Sequence, residues 1–137
     1  MNVQTAEWIN TLGRFCGARD VEMLTRASLR KRFGFEQADV LALFGGSIIA
    51  GADVLAQAMR ENVAARYVIV GGEGHTTEAL RRVVHARCPE IETAGLPEAE
   101  VFSRYMKAVY NLAPDHIETR STNCGNNITN LLALLAR

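Results

Sequence analysis

The sequence predicts an α/β fold with a mostly parallel sheet, and three observations carry that expectation. Residues 38–44 (ADVLALF) run into Gly45-Gly46-Ser47, and residues 67–70 (YVIV) run into Gly71-Gly72-Glu73-Gly74. Each is a short aliphatic or β-branched run of the kind that buried parallel strands use, ended by glycine and followed by helical apolar periodicity. The third observation is the polar run RSTNCGNN at residues 120–127, which again lies between a short strand and an apolar helix. Strand, loop and helix repeated in this way suit right-handed βαβ crossovers. These bring all three loops to the carboxyl edge of the sheet, where open α/β sheets bind their ligands.

In chain order, residues 1–36 are expected to form an N-terminal helical segment and residues 38–137 the βα units of a single domain. Trp8, Ile9, Leu12 and Phe15 recur at helical spacing, so residues 4–15 should be an amphipathic helix packed against the rest, shortened by Gly13 and Gly17. Asp20 suits the N-cap of a second helix carrying Val21, Leu24, Ala27 and Leu29 to about Arg32, broken by Phe33-Gly34-Phe35. After the first strand, a helix is expected over residues 51–62. The helix after Gly74 should run to Arg87, with Leu80, Val83 and Val84 inward and Arg81, Arg82 and Arg87 solvated. Cys88-Pro89 ends it, because proline disfavours helical geometry in the residue before it.

Residues 90–94 (EIETA) read as a weak strand near a sheet edge. Pro97 suits a first helical position, with Glu98 and Glu100 in the positive first turn and Val101, Phe102, Tyr105, Met106 and Val109 as the buried face. Residues 116–119 form a short strand, and Ile128, Leu131, Leu132 and Leu135 mark a last helix.

Fifteen basic residues balance fifteen acidic ones, so the basic footprint of a nucleic-acid partner is missing. The cluster RASLRKR at residues 26–32 reads as a solvated helix face. Cys16, Cys88 and Cys124 are widely spaced and form no C-x-x-C, which argues against disulfides and a zinc site and for a reducing, cytoplasmic compartment. The start lacks a signal peptide's basic and apolar regions, and the uncharged run between Asp39 and Asp53 is too short to span a bilayer. No membrane insertion is expected.

The glycine loops let a ligand approach backbone N–H groups, which with the helix dipole behind them attract phosphate, carboxylate or a carbonyl edge. A dinucleotide fingerprint G-x-G-x-x-G is absent, since Thr77 stands where its third glycine belongs, and no P-loop lysine is present. In the third loop, Ser121, Thr122, Asn123, Asn126, Asn127 and Thr129 exceed what helix capping needs. Asn offers both donor and acceptor to a polar edge such as a base or an amide.

Glu98 is placed for a ribose or amine. His75 lies near Glu73 and Glu78 and suits an acid/base pair with a carboxylate; a metal shared with Glu78 is disfavoured because no second histidine or cysteine is nearby, so none is expected. Ser47 and Cys124 are conceivable nucleophiles without a dedicated base, and His85 and His116 are assigned to structure.

The runs VGGEGHTTEAL, GLPEAEVF and ETRSTNCGNNI together resemble the YdcF-like family, a domain of unknown function that also holds SanA and ElyC. The resemblance covers residues from about 38 to the end. It implies a Rossmann-like three-layer α/β sandwich and, as for YdcF, binding of S-adenosylmethionine without a settled reaction. It implies a pocket of Gly45, Gly46, Gly71, Gly72, Gly74, His75, Thr76, Glu98, Thr122, Asn123 and Asn126. Members continue beyond the point where this chain stops, so the expectation is a C-terminally truncated domain with an incomplete sheet that a second copy, as a homodimer, would cover. The leading functional expectation is a small-molecule-binding domain for a nucleotide-like ligand. Its rivals are a transferase or hydrolase acting on a small or envelope-related metabolite with His75 as acid/base, and a non-catalytic self-associating protein.

Overall fold

A computed structural model describes residues 2–17 and 19–136. Its elements are α1 (Val3–Cys16), α2 (Arg26–Phe33), β1 (Ala38–Phe44), α3 (Ala50–Arg60), β2 (Ala64–Val70), α4 (Thr77–Arg87), α5 (Glu98–Tyr110), β3 (His116–Glu118) and α6 (Cys124–Leu135). The strands form one parallel sheet in the order β1-β2-β3, with Leu43 opposite Ile69 and Ile69 opposite Ile117.

Because side chains alternate across a strand, Leu41, Leu43, Tyr67 and Ile69 share one face and enter the main core. Val68 and Val70 are also buried but point to the other face, outside that cluster. Right-handed crossovers put α3 and α5 on the same side of the sheet, where they pack on each other and α4 packs on α5. On the opposite face α6 returns beside β3, and its Asn130 Nδ2 donates to Glu118, the residue opposite Val70. The fold is therefore α/β and Rossmann-like, with helices flanking an open three-stranded sheet.

The core is carried by α5. Val101, Phe102, Tyr105 and Met106 recur on one helical face and are buried against a cluster that includes Leu55, Leu80 and Val84. Burying a side chain such as Phe102 contributes about 1.5–3 kcal/mol. A polar clamp sits at the same junction. Tyr105 Oη at 3.0 Å and Tyr110 Oη at 2.6 Å donate to Asp53 Oδ1 of α3, and Arg87 of α4 lies 3.5 Å from Asp53 Oδ2. Burial first, then the bond to Asp53, raises the Tyr105 phenol well above its ordinary pKa; for Tyr110 the Asp53 bond comes first.

Several expectations change. α1 forms, but Trp8 is 64% and Phe15 84% exposed, and the helix buries no residue. Its periodicity records a stripe that meets no partner among the described residues. Asp20 is not a cap: Thr25 is, its side chain accepting from Ser28 N, while Gly34 closes α2 at φ 81°. Val21 and Leu24 consequently precede the helix, and Leu24 packs on the core from the loop.

Residues 90–94 form no strand. Ile91 N bonds Cys88 O at 3.0 Å and Leu96 N bonds Thr93 O at 3.2 Å, so local turns take the place of a ladder, anchored by buried Ile91 and Thr93. Pro97 is the N-cap of α5 and not its first helical residue, and Val83 and Val109 are exposed at the rims of their helices. Arg81 is not solvated. Its guanidinium donates twice to Leu96 O, and its side chain is only 15% exposed. α6 also buries no residue, so its apolar stripe is only partly covered. No helix among the described residues is long and apolar enough to cross a membrane.

Candidate functional site

The carboxyl ends of β1 and β2 lie side by side, and both continue as glycine. Gly45 N donates to Val70 O at 2.7 Å and Gly71 N to Glu118 O at 2.9 Å, so each loop begins by extending the ladder. What lies between them requires the missing side chains. A Cβ on Gly45 would stand 2.3 Å from Glu98 Oε2 and 3.2 Å from the Gly71 Cα. A Cβ on Gly72 would stand 2.1 Å from Ser121 O, because the loop after β2 runs directly against the loop after β3. Gly72 N donates to Ser121 Oγ at 3.1 Å, which joins the two loops.

Glu98 opens α5 and fills the gap. Its own N–H donates to Gly72 O at 2.9 Å and that of Ala99 to Gly71 O at 2.8 Å, so the first amides of the helix dock on the glycine loop. Its side chain turns inward and the residue is only 7% exposed. Oε1 accepts from Thr76 Oγ1 at 3.1 Å and Thr77 Oγ1 at 2.9 Å, the N-cap and first residue of α4. Bonds to a carboxylate offset its burial, which is costly when unpaired. Oε2 accepts no hydrogen bond from the described residues. Glu98 borders a cavity of about 110 Å³ whose wall is completed by Gly45, Gly72, Gly74, His75, Thr76, Ser121, Thr122, Asn123, Cys124 and Asn127.

The structure thus brings together Gly45, Gly72, Gly74, His75, Thr76, Glu98, Thr122 and Asn123. Gly46, Gly71 and Asn126 do not line the cavity. Gly46 turns the chain at φ 149°, Gly71 is packed beneath Glu98, and Asn126 Oδ1 is occupied by Thr122 Oγ1 at 3.1 Å and Asn123 Nδ2 at 2.9 Å. Asn123 caps α6, its Oδ1 accepting from Asn126 N at 2.9 Å. Part of the polar surplus in the third loop is therefore spent on the loop itself.

Ser121, Cys124 and Asn127 also line the cavity; the sequence singles out Ser121 and Asn127 as part of the polar surplus and Cys124 as a conceivable nucleophile, but the expected pocket contained none of them. The polar run contained them, but only the geometry of the turn into α6 decides which members face inward.

The expected pairing of His75 with a carboxylate is not formed. Glu73 at 2.8 Å and Glu78 at 3.4 Å both turn to Arg81, which also grips Leu96 O, so this arginine ties the glycine loop to the turn before α5. His75 is exposed and makes no side-chain hydrogen bond among the described residues. Among those residues no group of three or more His, Cys, Asp or Glu side chains is arranged to hold a metal ion. Cys16, Cys88 and Cys124 are free thiols.

Comparison of the chain with protein-family models and with curated proteins returned no match.

Proposed function

We propose that this chain binds a small nucleotide-like molecule at the carboxyl edge of its sheet, with S-adenosylmethionine as the first ligand to test because of the resemblance to YdcF-like proteins. One observation carries the reading: the Glu98 carboxylate, in a residue only 7% exposed, keeps one oxygen without a partner among the described residues, beside a cavity walled by the loops that follow all three strands. That oxygen is not sealed off, since among the described residues no buried side-chain N or O lacks a partner; it is an accessible acceptor that a ligand's donor can reach. Ligand pockets of drug-sized molecules measure about 300–1,000 Å³. The cavity of about 110 Å³ accordingly holds one polar end, a ribose or an amine, while the rest of the ligand lies over the open rim.

Isothermal titration of S-adenosylmethionine into the chain is the test. Saturable binding that Glu98→Gln weakens by about 10-fold or more is expected, that being the loss of a charge-assisted hydrogen bond. Heats of dilution alone, with S-adenosylmethionine, adenosine and nucleoside phosphates alike, would remove the reading. His75 supports a second, enzymatic reading because it lines the same cavity and its side chain makes no hydrogen bond among the described residues. His75→Ala should leave affinity within a few-fold if the chain only binds, and lower turnover about 100-fold if His75 is an acid/base.

A further inference from the structure

Phosphate binding at a glycine loop uses unspent backbone amides, a free helix N-terminus and a cation. In this cavity the amides of the lining glycines are already taken, a carboxylate stands at one helix start, and among the described residues the cation is missing. Gly72 N is engaged by Ser121 Oγ and Gly74 N, at 2.8 Å, by Thr77 Oγ1, while Gly45 N continues the sheet ladder. At the start of α4 no side chain caps the helix amides; Thr76 and Thr77 both turn their hydroxyls to Glu98, whose negative charge already stands beside that turn. At the start of α6, Asn123 supplies the cap. Among the described residues no lysine or arginine lines the cavity. Arg81, the first arginine after the second glycine loop, is held by Glu73, Glu78 and Leu96 O. The cavity also presents Glu98 Oε2, an acceptor that takes no hydrogen bond from the described residues.

We infer that this cavity selects a hydrogen-bond-donating or cationic group, an amine or paired hydroxyls, and discriminates against phosphate. The inference rests on the reading that the cavity is a ligand site, and it reverses the polarity usually attached to glycine-rich βα loops. The glycines serve clearance: they let a carboxylate occupy the place where a phosphate sits in other proteins. Glu98 repels an anion brought to the same spot, and a ligand ammonium or hydroxyl completes its second oxygen.

The test follows backbone amide signals of Gly45, Gly72, Gly74 and Thr76 by nuclear magnetic resonance while either ethanolamine or inorganic phosphate is titrated into the wild-type chain. Saturable shifts with ethanolamine, and phosphate shifts at least about 10-fold weaker, are expected. Glu98→Gln should abolish the ethanolamine response. The comparison of the two probes on wild-type protein needs no variant, so misfolding of Glu98→Gln leaves it intact. Stronger shifts with phosphate, or none with ethanolamine, overturn the inference. Adenosine and S-adenosylmethionine in the same assay address the nucleotide reading separately: a response to ethanolamine without one to either nucleoside keeps the donor preference and discards the nucleoside.

Discussion

α5 and α1 are both amphipathic helices of similar length, and they stand at opposite extremes of the molecule. α5 lays Val101, Phe102, Tyr105 and Met106 into the core, all at 1% exposure or less. α1 carries Trp8, Ile9, Leu12 and Phe15 on an equally legible stripe and buries none of them. A hydrophobic period says which face of a helix seeks cover; it does not say that the same chain supplies it. α5 is covered because its first turn is docked on the glycine loop by the bonds of Glu98 N and Ala99 N, which aim its apolar face at β2 and β3. Among the described residues α1 has no such anchor, being capped only by its own Asn2 and Gly17.

The largest difference should appear when matched aromatics are removed. Phe102→Ala is expected to cost about 3–5 kcal/mol, through lost transfer energy and the cavity left behind. Phe15→Ala should change stability by less than about 0.5 kcal/mol, as exposed substitutions do. Urea unfolding of the two variants measures both. A loss above about 1 kcal/mol for Phe15→Ala would mean that α1 docks on the folded body after all.

Next in size is the anchor itself. Gly45→Ala puts a methyl 2.3 Å from Glu98 Oε2, with the Gly71 Cα only 3.2 Å away, and the carboxylate must move because the backbone on its other side does not yield. Overpacking of this kind costs about 1–3 kcal/mol. The same variant should lose ethanolamine binding, since the displaced carboxylate no longer presents Oε2 to the cavity. Unchanged stability together with unchanged binding would contradict the clearance role given to the glycine.

These two contrasts show what sequence could and could not convey. The parallel βα units were legible because glycine ends β1 and β2 and apolar runs are short, and the buried face of α5 followed from its period. Residues 90–94 misled, since Ile91 and Thr93 are buried in turns whose apolar positions imitate a strand. At the site, the loops were visible but their polarity was not. Glycine in sequence announces freedom and close approach, yet only the tertiary arrangement reveals that Glu98 takes up the space and that Ser121 and Thr77 take up the Gly72 and Gly74 amides. Arg81 read as solvent-facing because its partners Leu96 and Glu73 lie on separate segments, which a helical wheel does not contain.

Alkaline titration probes the clamp that holds α5 to α3. Tyr105 and Tyr110 have phenol pKa values raised in the folded chain, by burial and by the Asp53 bond. A group that binds its proton more tightly when folded adds stability that is complete below the unfolded value of about 10, and this is lost as pH rises above it toward the folded value. Urea midpoints should therefore hold steady to about pH 9.5 and fall beyond it. Tyr105→Phe should flatten that fall while lowering stability at neutral pH by about 1 kcal/mol, because Asp53 retains Tyr110 as a donor. An identical alkaline slope in the variant would assign the effect to other groups.

The smallest effect is expected at Gly13, and it tests the comparison from the α1 side. An added Cβ there meets nothing within 4 Å, and the residue sits inside a helix where glycine costs about 0.5–1 kcal/mol relative to alanine. Gly13→Ala should raise the helical circular dichroism signal by making α1 more persistent. Its urea midpoint should stay at the wild-type value, because a helix that packs on nothing cannot pass its gain to the core. If the midpoint rises by the full propensity difference, α1 and α5 belong to one cooperative unit, and the exposed stripe of α1 is then engaged during folding. If only the helical signal rises, the same residue type, glycine, is a pure propensity defect at position 13 and a packing requirement at position 45. The deciding factor is whether backbone and a carboxylate stand within reach of the missing methyl.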